Sequence, residues 1–218
     1  MNNVFVYCEI EGTKVAEVSQ ELLTKGRKLA VTLGVQLEAV AAGGGITRQV
    51  EEPILPYGVD CVHIFDAPGL APYISKPHTA VLVNLFKQEQ PQICLMGADV
   101  VGRDLGPRVS SALNRGLTAD CTALEIGPHD DKKLGKHYDN LLYQISPAFG
   151  GNIVATIVNT EQRPQMATGR SGVMKAEGEY VMLNTEKYGG MILSTWLDRP
   201  LSLAGRIVYE QEGMLVTK

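Results

Sequence analysis

From Val4 to Glu125 the chain repeats one rhythm: a short β-branched or aromatic run, a helix-length amphipathic stretch, and another apolar run. Strand, helix, strand in about 40 residues reads as a βαβ unit with a parallel pair, since a parallel pair needs a crossover of a dozen or more residues. The first unit shows the pattern best. Val4–Ile10 reads as a strand, broken by Glu11-Gly12-Thr13. Thr13 is placed to cap a helix running to about Leu33, with Val15, Val18, Leu22, Leu29 and Leu33 forming one apolar stripe. Gly34 is a C-terminal helix stop, and Val35–Ala41 is the next strand. The rhythm returns as a strand at Val62–Asp66, a helix from Thr79 to about Glu89, a strand at Ile93–Met96, a helix over Arg103–Asn114 and a strand starting at Asp120. Ile93–Met96 is apolar on both faces, as a central parallel strand requires.

After about residue 126 the rhythm changes. Gly127–Lys133 reads as a polar turn, followed by strands near Asn140–Ile145 and Ile153–Val158 with no room for a helix between them. A hairpin added to the parallel core is expected. Tyr180–Leu183, Met191–Trp196 and Arg206–Tyr209 are strand candidates in a less regular tail. The expected fold class is therefore α/β, a Rossmann-like, mostly parallel sheet with flanking helices and an antiparallel extension.

Composition narrows the function classes. With 20 basic against 24 acidic residues the net charge is −4, so there is no global attraction to nucleic acid or an anionic membrane surface. No apolar run is long enough to span a bilayer, and the N-terminus lacks the features of a secretory leader. Cys8, Cys61, Cys94 and Cys121 lie far apart in apolar stretches and read as buried small hydrophobes of a reducing compartment. A cytoplasmic protein without membrane insertion is expected. His63, His78, His129 and His137 show no zinc-ligand spacing, so no metal site is expected. No nucleophile elbow, phosphate-binding loop or HExxH is present, and no catalytic acid–base pair stands out.

Three clusters carry possible chemistry. Gly43-Gly44-Gly45 follows a strand but lacks dinucleotide-binding spacing, and reads as a turn. Gly97–Arg108 leaves a buried strand and enters a helix, where an open parallel sheet docks ligands. There the free N–H groups and Arg103 could hold an anion, or Asp104 could cap the helix with Pro107 early in it. Ser146–Asn152 together with Arg163–Arg170 offers arginines and a glutamine on loops beside a strand, either a polar contact surface or a hairpin turn with solvated arginines.

At these residues the sequence resembles the α subunit of electron-transfer flavoproteins. The resemblance rests on Gly102-Arg103-Asp104-Leu105-Gly106-Pro107-Arg108-Val109, on Gly116-Leu117-Thr118-Ala119-Asp120-Cys121-Thr122, and on Pro147–Asn152 followed by Arg163–Thr168. It covers about Val4 to Met174. It implies an N-terminal α/β domain over 1–174 and no counterpart of the family's C-terminal FAD domain. Residues 175–218 are an unaligned tail, either extra strands on the core or an oligomer face. It also implies FAD in the assembled complex but not on this chain alone. The implied partner is a β subunit carrying AMP or a second FAD, with electrons drawn from an acyl-CoA dehydrogenase or another flavin dehydrogenase. Such a chain is an electron carrier without catalytic residues of its own, in some members within an NADH-oxidising bifurcating complex. Arg103, Arg163, Gln165 and Arg170 are the residues expected to face a β-subunit flavin or the interface. Ser146 stands where many members carry Arg, and Ser171 where Pro is usual. The alternatives are a stand-alone AMP- or ATP-binding module and a structural assembly domain of related fold.

Overall fold

The computed structural model describes residues 2–12, 14–46, 50–132, 134–148 and 153–177, and the backbone of 180–182, 192–194, 206–211 and 214–217. In chain order the elements are β1 (Val4–Cys8), a small hairpin of β2 (Ile10–Glu11) and β3 (Lys14–Val15), α1 (Glu17–Leu33), β4 (Leu37–Gly43), the single turn α2 (Glu51–Ile54), β5 (Cys61–Asp66), α3 (Ser75–Glu89), β6 (Ile93–Gly97) and α4 (Val100–Leu113). Then follow β7 (Leu117–Cys121), β8 (Ala123–Asp131), β9 (Lys136–Ala148), β10 (Ile153–Ile157) and β11 (Gln165–Gly169). The remaining strands are β12 (Tyr180–Met182), β13 (Ile192–Ser194), β14 (Arg206–Gln211) and β15 (Met214–Thr217).

One sheet organises the molecule, in the order β15-β14-β5-β4-β1-β6-β11-β7. Its pairings are parallel apart from the β14–β15 edge. β1, β4, β6 and β11 are buried along their whole length, which follows from helices covering both faces. α1 lays Val18, Leu22 and Leu29 on one face, against Val4, Val6 and Leu37. Gly26 permits that close approach, since a Cβ there would sit 2.9 Å from Leu37 Cδ1. α3 and α4 cover the other face, where Phe5, Leu82, Phe86 and Leu105 form a second cluster. β8, β9 and β10 form a separate antiparallel sheet in the order β10-β9-β8, as expected of a hairpin extension.

Several expectations need correction. Thr13 lies outside the described residues, and α1 starts at Glu17 behind Ala16, which makes no side-chain cap. Gly127–Asp131 is strand, not turn: β8 continues through it with a register shift between Gly127 and His129 that absorbs Pro128. Pro107 sits inside α4 rather than at its start. The largest change is β11. The stretch beginning at Gln165, read as loop, is a fully buried strand between β6 and β7. All four cysteines are free and buried, as their apolar contexts indicated.

Candidate functional site

β1 has β4 on one side and β6 on the other, so the connections leaving the carboxyl ends of β1 and β6 diverge and open a crevice. Ligands of open parallel sheets dock at this switch point. Glu9 leaves β1 there, and Asp99 follows β6. Asp99 Oδ1 accepts from Gly102 N at 2.7 Å and caps α4. The turn is so tight that a Cβ on Gly102 would lie 1.8 Å from Gly97 O. Burial pushes the Glu9 carboxyl up to about 8, helped by a hydrogen bond with Asp99. Glu9 Oε2 and Asp99 Oδ2 are buried, and neither has a hydrogen-bond partner at ordinary geometry.

An acid pair in this crevice repels an anion. Of the two readings left open for Gly97–Arg108, the geometry favours the cap, supplied by Asp99 rather than Asp104. Asp104 instead accepts from Arg108 Nε at 2.7 Å and from Tyr73 Oη at 2.8 Å, and the Arg108 guanidinium holds its carboxyl below the usual range. Beside Glu9 lies a cavity of about 320 Å³ walled by Tyr7, Gly43, Gly44, Tyr73 and His78. His78 Nε2 lies 3.0 Å from the Leu70 carbonyl, which can only accept, so Nδ1 accepts from Tyr7 Oη at 3.2 Å. The glycine run does make a turn: Gly43 ends β4 and Gly45 has φ +71°.

The four residues expected at a flavin or interface do not share one surface. Arg103 and Arg170 lie at the carboxyl edge of the sheet. Arg103 Nε donates to Ala98 O at 2.8 Å, and its Nη2 pairs with Asp120 at 2.8 Å. Asp120 has φ +55° and donates its N–H to Thr168 Oγ1 at 3.0 Å. Arg170 N donates to Cys121 O at 2.9 Å, leaving an exposed side chain. Ser146 reaches the same edge, its hydroxyl donating to Ala119 O at 3.1 Å. Arg163 and Gln165 stand at the other end of β11. Gln165 is wholly buried and accepts from Leu142 N at 3.0 Å, fastening the antiparallel sheet to the parallel one. Arg163 Nη1 donates to the Gln162 and Asn159 carbonyls, beside a cleft of about 430 Å³ lined by Gly116, Gln144, Asn159 and Gln162. Glu9 was missed, although a carboxylate directly after the first parallel strand is a signal the switch-point rule can use.

β10 presents the main apolar surface among the described residues. Ile153, Val154 and Ile157 are 53%, 65% and 42% exposed, on an edge strand open on both faces. No helix among the described residues is long and apolar enough to cross a membrane.

Among the described residues, neither of the two cavities is lined by Arg103, Arg163, Gln165 or Arg170. Arg103 and Arg170 fit one wall of an anionic group's site, whereas the buried Gln165 and the distant Arg163 do not.

Comparison with known proteins places this geometry. The chain is 40% identical over 172 residues to the electron transfer flavoprotein subunit alpha of Clostridium acetobutylicum, covering 79% of this chain and 48% of that one. It is 38% identical over 173 residues to the subunit of the same name from Thermoanaerobacterium thermosaccharolyticum, covering 79% and 49%. It is 39% identical over 192 residues to the lactate dehydrogenase (NAD(+),ferredoxin) subunit LctC of Acetobacterium woodii, covering 84% and 43%. The chain thus spans about half the length of the curated relatives it matches. The family model described as electron transfer flavoprotein domain matches residues 4–188. With most of its length matched, and with the mostly parallel sheet that the motifs implied, the chain belongs to the electron transfer flavoprotein domain family.

Proposed function

We propose that this chain is the N-terminal α/β part of an electron-transfer flavoprotein α subunit, acting as one wall of a flavin-bearing complex with a β subunit. The observation that carries the reading is β10. A free-standing chain gains nothing from holding Ile153, Val154 and Ile157 in water, whereas a partner laid along this strand would bury them. Residues 1–174 are the domain proper, and 175–218 continue it with strands, of which β14 joins the main sheet beside β5.

FAD, when bound in the assembled complex, supplies the electron-carrying ring system. This chain's residues shape its surroundings. Arg103 and Arg170 present positive charge at the carboxyl edge of the sheet, which favours an anionic reduced ring. Asp120 neutralises part of Arg103, so Arg170 is the freer of the two cations. The acid pair at Glu9 and Asp99 argues against the alternative of an AMP- or ATP-binding module. The Acetobacterium relative is named as a subunit of a dehydrogenase using NAD(+) and ferredoxin, which supports a place in a bifurcating complex for this chain too. An acyl-CoA dehydrogenase or another flavin dehydrogenase is the proposed electron donor.

The test is the visible absorption of the purified chain, alone and with its β subunit and FAD. No flavin bands on the chain alone, with bands appearing in the complex, is the expected outcome. Stoichiometric flavin on the isolated chain would overturn the shared-site reading. In the complex, Arg170→Ala should lower the flavin potential, and an unchanged potential would remove Arg170 from the flavin's surroundings.

A further inference from the structure

We propose that Glu38, Cys61 and His63 form a buried binding site for one transition-metal dication of the zinc type. The strand register builds it. Glu38 and Cys61 are direct partners across β4 and β5, and His63 lies two residues beyond Cys61. All three side chains therefore leave the same face of the sheet. Phe5, paired with Glu38 from β1, covers that face with its ring stacked on His63 at 5.4 Å. The three residues are 3%, 6% and 1% exposed.

Their donor atoms converge. Glu38 Oε2, Cys61 Sγ and His63 Nε2 all lie within 4.8 Å of one another. His63 Nε2 is 2.5 Å from Oε2 and 3.6 Å from Sγ. One ring nitrogen carries at most one proton, so it cannot donate to both neighbours. A dication at the centre serves all three at once. Tetrahedral zinc, with Zn–N of about 2.05 Å and Zn–S of about 2.3 Å, sets nitrogen and sulfur about 3.5 Å apart, close to the spacing present. Nitrogen and carboxylate oxygen would stand about 3.3 Å apart, so Glu38 swings slightly away from His63 on binding.

Charge supports the same reading. A thiolate and a carboxylate cancel a dication, leaving the buried cluster with no net charge; without a metal, His63 Nε2 lies at ion-pairing distance from Glu38 Oε2. A mixed sulfur, nitrogen and oxygen set suits zinc and its neighbours rather than magnesium or calcium. The carboxylate is also braced from behind, as ligating carboxylates are: Asn3 Nδ2 donates to Glu38 Oε1 at 2.5 Å, and Gln36 N donates to Asn3 Oδ1 at 3.3 Å. No fourth His, Cys, Asp or Glu among the described residues joins the cluster, so three protein ligands would hold the ion. The linear sequence concealed the cluster because Glu38 lies on a different strand from the Cys-x-His pair.

The full 218-residue chain, stripped by chelator and kept reduced, is titrated with Co²⁺ as the probe and then with Zn²⁺. One equivalent of Co²⁺ should bind with a near-ultraviolet thiolate-to-cobalt charge-transfer band that Zn²⁺ bleaches. Cys61→Ala should abolish that band. His63→Gln should weaken uptake by more than about 100-fold, and Asn3→Ala by roughly tenfold as a bracing residue. His137, flanked by Asp130 and Asp139 on an exposed hairpin, is the place for adventitious metal, and His137→Ala should leave the band unchanged. Absence of a thiolate band in the unmutated chain at saturating Co²⁺ would overturn the proposal whether or not the variants fold. So would a band that persists in Cys61→Ala.

Discussion

Glu9 and Gly102 both lie at the carboxyl edge of the sheet, and each constrains the chain by a different physics. Glu9's carboxyl titrates at about 8 in the fold against 4.5 as the ordinary value, because burial and then Asp99 penalise its charge. Between those two pH values the folded chain keeps a proton that the unfolded chain has released. This group's contribution to stability is therefore intact below about pH 4.5, declines as pH rises toward 8, and is level beyond. Glu9 is only partly buried, so solvent screens the pair and the slope is a fraction of that of a sealed one. Thermal melts over this range should decline less steeply for Glu9→Gln than for the unmutated chain. Asp99→Asn should do the same while keeping a capping oxygen; an unchanged slope in Glu9→Gln would show that other groups set it. Gly102 is fixed by space. A methyl there meets the Gly97 carbonyl at 1.8 Å, so Gly102→Ala should destabilise by roughly 3 kcal/mol or more, read as a lower urea midpoint at unchanged slope. The sequence marked this glycine through its motif, but nothing local in it pairs Glu9 with Asp99, which lie on loops after different strands.

Among the elements, the long helices α1, α3 and α4 and the parallel strands β1, β4, β5 and β6 were legible, because amphipathic stripes and two-faced apolar runs are local signals, whereas the single turn α2 was not. Nor was β11. Gln165-Met166-Ala167-Thr168-Gly169 contains little that favours a strand, and a proline precedes it; its burial comes entirely from the strands on either side. The candidate site was legible to the same extent. Arg103 and Arg170 share an edge, while Arg163 and Gln165 were separated from them by the very strand that was not foreseen. β10 carries the prediction at this scale. Ile153 and Val154 already face water, so Ile153→Asp and Val154→Asp should change folding stability by less than about 0.5 kcal/mol. If β10 is the partner surface, the same changes should weaken β-subunit association by tenfold or more, a loss of about 1.4 kcal/mol. Urea unfolding of the chain alone reads the first outcome and sedimentation of the mixed subunits the second, and unchanged association would move the interface elsewhere.

At the scale of the whole molecule, the two faces and the two ends of the sheet have separate duties. α1 covers one face, and α3 with α4 the other. The carboxyl edge gathers Glu9, Asp99, Arg103 and Arg170, whereas Glu38, Cys61 and His63 lie toward the amino ends of β4 and β5. Metal binding and flavin contact, as proposed, are thus separable by mutation. The position of β11 also orders events in time. β7 is the sheet's edge and reaches it only through β11, yet β11 is made after the whole β8–β10 excursion. Met166 must find Cys94 and Leu117, both far behind it in the chain, and such distant pairings form slowly. During synthesis β7 and the antiparallel sheet that follows it must wait, unanchored, until residue 169 has emerged. The strand least visible in the sequence is therefore the keystone of assembly, and a nascent chain that pauses before it carries an open sheet edge on β6.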